Sequence, residues 1–135
     1  MSIRLIGLAL LLASSPATAA KAVGLTVRTG ETWIFKVVGG QPAKTRKADA
    51  NAAPATGEIK VSLSALMGAT MTIANNSKYD YAYRASLVLP NGKTGAAKSC
   101  AVPAHGKLAI EHWPQRVAAV RLSDFRPAPA GSLCP

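Results

Sequence analysis

The sequence predicts an all-β fold, a single antiparallel β-sandwich of about eight short strands. Several short runs alternate apolar and polar residues at period two, the mark of a half-buried strand. Asn91-Gly92 sits between two such runs and suits the positive φ angles of a type I′ hairpin turn. No stretch beyond the N-terminal segment repeats its apolar positions at helical spacing.

Taken in order, the chain opens MSIRLIGLALLLASSPATAA. Arg4 precedes an apolar run from Leu5 to Ala13, and Ala17-Thr18-Ala19 forms an A-x-A cleavage site, the plan of a secretory signal peptide. That run is far shorter than the ~20 residues of a spanning helix, and no later stretch is long and apolar enough to span. The expected organisation is a signal peptide over 1–20 and one sandwich domain over 21–135. The mature chain is expected in the periplasm or secreted, with no transmembrane segment after cleavage.

Residues Ala22–Val38 read as a first hairpin. Val23, Leu25 and Val27 alternate, Thr29-Gly30 turns, and Trp33, Phe35 and Val37 resume, with Trp33 and Phe35 as core. The segment 39–57, GGQPAKTRKADANAAPATG, has no apolar periodicity and reads as a basic loop in preference to a poorly patterned edge strand. Glu58–Ser64 then alternates cleanly, with Ile59, Val61 and Leu63 on the buried face. Leu66-Met67-Gly68 turns into Thr70-Met71-Thr72-Ile73, Met67 and Met71 being core filler. Asn75-Asn76-Ser77 closes that strand and matches an N-glycosylation acceptor.

A central hairpin follows. Tyr79, Tyr81, Tyr83, Ala85, Leu87 and Leu89 share one face, and a two-residue Asn91-Gly92 loop sets Tyr83 opposite Cys100 and Tyr81 opposite Val102. The same register sets Lys98 opposite Ala85, a misfit that calls for a bulge or a lysine stem reaching the rim. Lys107–His112 alternates again until Trp113-Pro114, and Val117–Leu122 is the last strand, with Asp124-Phe125 at its end. Cys100 and Cys134 form an even pair in an exported chain and are expected as a disulfide that ties the Pro-rich tail 126–135 to the sandwich.

Within the central strand, Asp80-Tyr81-Ala82 matches the first part of the immunoglobulin run Asp-x-Ala-x-Tyr-x-Cys. Arg84 and Ser86 stand where its tyrosine and cysteine belong, and no upstream cysteine completes an intersheet bridge. The chain thus resembles immunoglobulin-type sandwiches in architecture, and that resemblance implies the two-layer arrangement alone.

Charge is the compositional outlier. The chain holds 16 lysines and arginines against 6 acids, a net charge of +10, of which cleavage removes only Arg4. Such a surface is drawn to polyanions such as anionic headgroups or wall polymers. Lys44, Arg46 and Lys47 are the densest cations and, with Arg84, are the expected anion contacts. Nucleic acid is not an expected partner, because the tyrosines lie on a core face and no recognition motif is present.

Catalytic patterns are missing from the sequence. There is no G-x-S-x-G elbow, and the adjacent Glu111 and His112 point to opposite faces of a strand. Neither a catalytic residue nor a metal or other cofactor is expected. The function expected is a non-catalytic binding or accessory module of the cell envelope, contacting an anionic polymer or another exported protein. An inhibitor of an exported enzyme and an enzyme of unrecognised class are the alternatives.

Overall fold

A computed structural model of the chain describes residues 23–129. The expected signal peptide and the expected Cys100–Cys134 pairing, whose second member lies beyond residue 129, fall outside the described residues in whole or in part. The described residues form nine strands and no helix. They are β1 (Leu25–Arg28), β2 (Thr32–Val38), β3 (Gln41–Lys47), β4 (Ile59–Ser64), β5 (Ala69–Asn75), β6 (Tyr81–Val88), β7 (Thr94–Ala97), β8 (Lys107–Trp113) and β9 (Ala119–Pro127).

The strands make a four-stranded sheet in the order β1-β9-β6-β7 and a five-stranded sheet in the order β3-β2-β4-β5-β8, antiparallel throughout. Alternation explains why the sheets stack. Val27, Ala85, Leu87, Val120 and Leu122 from one sheet join Phe35, Ile59, Val61, Met71 and Ile73 from the other in one buried cluster. Each large aliphatic buried there contributes about 1.5–3 kcal/mol relative to exposure. The all-β, two-sheet expectation is met; immunoglobulin-like topology is not established by these strand orders.

Several local expectations change. β1 and β2 do not form a hairpin, because β1 pairs with β9 and β2 with β3 and β4. Thr29-Gly30 is the crossing between sheets, its amides bonding to the Ala118 and Leu63 carbonyls at 3.1 and 2.7 Å. Phe35 is core as expected, whereas Trp33 is only partly buried against it. Met71 is core, but Met67 is exposed at the tip of the β4–β5 turn with φ 51°.

The segment 39–57 is not a loop throughout. Its first half is β3, an edge strand that pairs with β2 from Val38↔Gln41 to Trp33↔Lys47. Exposed or half-buried residues along the whole strand hide it from a periodicity test. Lys44 and Thr45 together oppose Phe35, a bulge in which Lys44 takes φ 50°.

The central hairpin turns one residue early. Leu89 and Lys93 close a three-residue loop, in which the Gly92 amide bonds to the Leu89 carbonyl at 2.9 Å and Gly92 has φ 84°. Pro90 accounts for this, since its fixed φ suits the second position of a type I turn, with glycine left to take the positive φ. Ala97 and not Lys98 therefore faces Ala85. The register slips by one residue through 98–101 and recovers, so that Tyr81 does meet Val102. Tyr83 and Ala85 are buried as expected, but Tyr79 is 44% exposed.

Asn75 cannot serve as a glycan acceptor, because it is fully buried. Its amide nitrogen donates to the Tyr79 and Val102 carbonyls, and its oxygen accepts from Ser77. It is the polar pin at the turn from β5 towards β6.

Candidate anion-binding face

The expected cations are dispersed between the two sheets, and most are paired. Arg46 on β3 forms a two-pronged bond to the carboxylate of Glu58, one prong at 2.9 Å, and Glu58 also accepts the Ala55 amide at 2.8 Å. The bond from Arg46 is the main reason that the Glu58 carboxyl falls to about 2, and Glu58 in turn pushes the Arg46 guanidinium further up. Lys47 lies 3.3 Å from Glu31 and 5.7 Å from the centre of the Trp33 ring. Glu31 also accepts the Trp33 indole N–H at 2.8 Å, which holds its carboxyl below the usual range. Two of the three dense cations are thus balanced by carboxylates from β2's start and β4's start. Lys44 stands exposed on the bulge.

Arg84 belongs to a different surface. The buried alternation of β1, β6 and β9 forces the intervening residues outward, and the ladder register lines them up. One cross-strand row reads Thr26, Arg121, Ser86 and Ala96; another reads Arg28, Ala119, Val88 and Thr94. Arg84 faces Ser123, and Arg126 faces Ala82. Arg28, Arg84, Arg121 and Arg126 therefore share the outer face of the four-stranded sheet, separated by hydroxyl and small side chains.

One carboxylate joins them. Asp124, at φ 53°, sits in a bulge where it and Phe125 together oppose Tyr83. Its Oδ2 lies 3.5 Å from Arg84, whose side chain remains 70% exposed. Its Oδ1 accepts the Gln41 amide at 2.8 Å. Arg126 donates to the Asp124 carbonyl at 3.2 Å, and Arg121 donates through Nε to the Val23 carbonyl at 2.8 Å.

Other acids are held elsewhere by the fold. Asp80 accepts the Ala104 amide at 2.7 Å, and Glu111 accepts the Cys100 amide at 2.6 Å. Glu31 and Glu58 carry the pairs already described. On the strands of this face Asp124 is the one carboxylate against four arginines, while Glu31 accepts the Arg28 amide at its edge at 3.1 Å. Guanidinium groups suit such a surface, because their planar forks bond phosphate, sulfate or carboxylate through two parallel N–H donors.

Among the described residues, the remaining polar groups assemble no comparable set. His112 bonds through Nδ1 to the Thr70 hydroxyl at 3.1 Å on the outer face of the five-stranded sheet, while Glu111 turns to the other side. A shallow cavity of about 210 Å³ on that outer face is lined by Ala50, Lys60, Ser62, Thr72, Ala74 and Leu108. Its one cation, Lys60, donates to the Ala50 carbonyl. Among the described residues, no three His, Cys, Asp or Glu side chains gather as a metal site would require.

Arg28, Arg121 and Arg126 escape sequence reasoning because they are scattered singly. Outward parity on an alternating strand was the available signal, but the rows exist only once β9 lies between β1 and β6. Searched against known proteins, the chain matches no family model, no curated protein and no solved structure.

Proposed function

We propose that this chain is an exported, non-catalytic binding module of the cell envelope, and that it contacts an anionic polymer through the outer face of its four-stranded sheet. The observation that carries the reading is the placement of Arg28, Arg84, Arg121 and Arg126 on the outward side of β1, β6 and β9, where the one carboxylate of those strands, Asp124, pairs with Arg84. Of the contacts expected from sequence, Arg84 keeps its role and Lys44 adds to the general field. Arg46 and Lys47 serve mainly to tie β3 to its neighbours. Export rests on the signal-peptide pattern, and it brings with it the Cys100–Cys134 disulfide expected from the sequence.

The test separates a built face from bulk charge. A triple variant, Arg28→Ser, Arg84→Ser and Arg126→Ser, is compared with Lys44→Ser, Lys98→Ser and Lys107→Ser, which removes the same charge from other surfaces. On a phosphate-bearing cation exchanger, the arginine triple is expected to elute at clearly lower salt than the lysine triple. Equal elution of the two would reduce the effect to net charge and defeat the proposal.

A further inference from the structure

The sandwich has four strand edges, and three of them are guarded. β1 and β7 are only four residues long. β3 carries Pro42, three cations and the bulge at Lys44. Short edges, proline, lysines and bulges are the usual means of preventing one sheet from adding to another. β8 has neither proline nor bulge, and its one lysine, Lys107, stands at its first position. It runs seven residues in an unbroken register with β5, from Ala69↔Trp113 to Asn75↔Lys107. Its outward side chains include Leu108 and Ile110, 54% and 64% exposed.

Among the described residues, its backbone is also open on one side. β8 is the end of its sheet and pairs only with β5, and no hydrogen bond from the described residues reaches the other flank of its main chain. The inward side chains Glu111 and Trp113 bond to the Cys100 amide and the Lys98 carbonyl, at 2.6 and 3.3 Å. Those contacts tie the strand down from the inside and leave its outward side chains clear.

We infer that β8 is a strand-addition site for a second copy of this chain, joining two five-stranded sheets about a two-fold axis at Ile110. The sequence of the strand is complementary to itself in that antiparallel register. Ile110 meets the partner's Ile110, and Leu108 meets the partner's His112, which gives an apolar centre on the outer face. Ala109 meets the partner's Glu111, and Lys107 meets the partner's Trp113. Lys107 is then diagonal to the partner's Glu111 on one face, an opposite-charge pair, and no like charges are directly opposed. A single added strand makes a small interface, so the association is weak and concentration-dependent. The chain's net charge of +10 opposes it, and salt relieves that repulsion.

Sedimentation velocity on the mature chain, from micromolar to near-millimolar concentration at low and high salt, reads this directly. The expected result is a rise towards twice the monomer mass, stronger at high salt, and its loss in Ile110→Lys. An oxidised Ile110→Cys variant is expected to form a covalent dimer much faster than Leu108→Cys, because residues at the two-fold axis bring their Cβ atoms about 4.5–5.5 Å apart. A chain that stays monomeric throughout at high salt would overturn the inference. So would unchanged association in Ile110→Lys, or equal cross-linking of the two cysteine variants.

Discussion

The five-stranded sheet ends in two edges that solve the same physical problem in opposite ways. At one end, β3 presents Lys44, Arg46 and Lys47, breaks its own ladder with a bulge, and spends two of its charges on Glu58 and Glu31. At the other, β8 keeps an unbroken register and shows Leu108 and Ile110 to water. A sheet edge is a row of unmet donors and acceptors, so an edge left regular and apolar is one that receives a partner, while a charged and bulged edge refuses one. The contrast teaches that two of the cations most visible in the sequence, Arg46 and Lys47, also fasten an edge strand through Glu58 and Glu31. The charge proposed to contact an anionic polymer lies on the other sheet.

The largest expected effect tests what holds β8 in place. Trp113 is buried, and its indole N–H reaches the Lys98 carbonyl at 3.3 Å. Trp113→Ala removes a large core side chain and that pin together, and is expected to cost about 3–5 kcal/mol in urea unfolding. A loss comparable with that of a surface substitution would show that β8 is held by its ladder with β5 alone.

An intermediate effect tests the fastening of β3. The Glu58 carboxyl falls from an ordinary 4.5 to about 2 in the folded chain, mainly because of Arg46. A depressed carboxylate contributes stability that is fully present above its unfolded value and lost as pH falls through the folded one. Glu58→Gln is therefore expected to lower the melting temperature at neutral pH. Its deficit should shrink as pH falls from about 4.5 to about 2. A deficit that stays constant across that window would mean that packing, and not charge, fixes the β3 edge.

The smallest effect tests the bulge. Lys44 holds φ 50°, which costs a residue with a Cβ about 1–2 kcal/mol. Glycine avoids that cost but loses about 0.5–1 kcal/mol of backbone entropy. Lys44→Gly is thus expected to stabilise the chain by between about 0 and 1.5 kcal/mol, read as a small rise in the urea midpoint. A clear destabilisation would show that the lysine side chain makes stabilising contacts in the folded chain that outweigh its backbone strain.

How much of this was legible in the sequence varies from strand to strand. β4 and β5 are plain, because Ile59, Val61 and Leu63, or Met71 and Ile73, alternate over a half-buried surface, whereas β8 is legible as a strand but turns its alternating Leu108 and Ile110 to water. β3 is illegible because neither of its faces is apolar, so period two has nothing to register. The far half of β9 is missed because the bulge at Asp124 breaks the alternation and sends Phe125 inward against Tyr83, with ring centres 5.3 Å apart. The first hairpin is misread because a turn sequence does not reveal whether the chain turns back or crosses to the other layer. The candidate site was legible only at Arg84. Closeness along the chain drew attention to Lys44, Arg46 and Lys47, while the carboxylates that balance two of them arrive from positions 31 and 58.

The bulge at Asp124 has a mechanical consequence. There the main chain of β9, a member of one layer, donates from the Phe125 amide to the Gly40 carbonyl of the other layer at 2.7 Å. The Phe125 ring meets Phe35 of that layer and Tyr81 and Tyr83 of its own. A pull applied along the last strand is therefore shared by both layers at this seam. It loads the sandwich in shear, where many bonds must yield together, and does not unzip one layer a rung at a time.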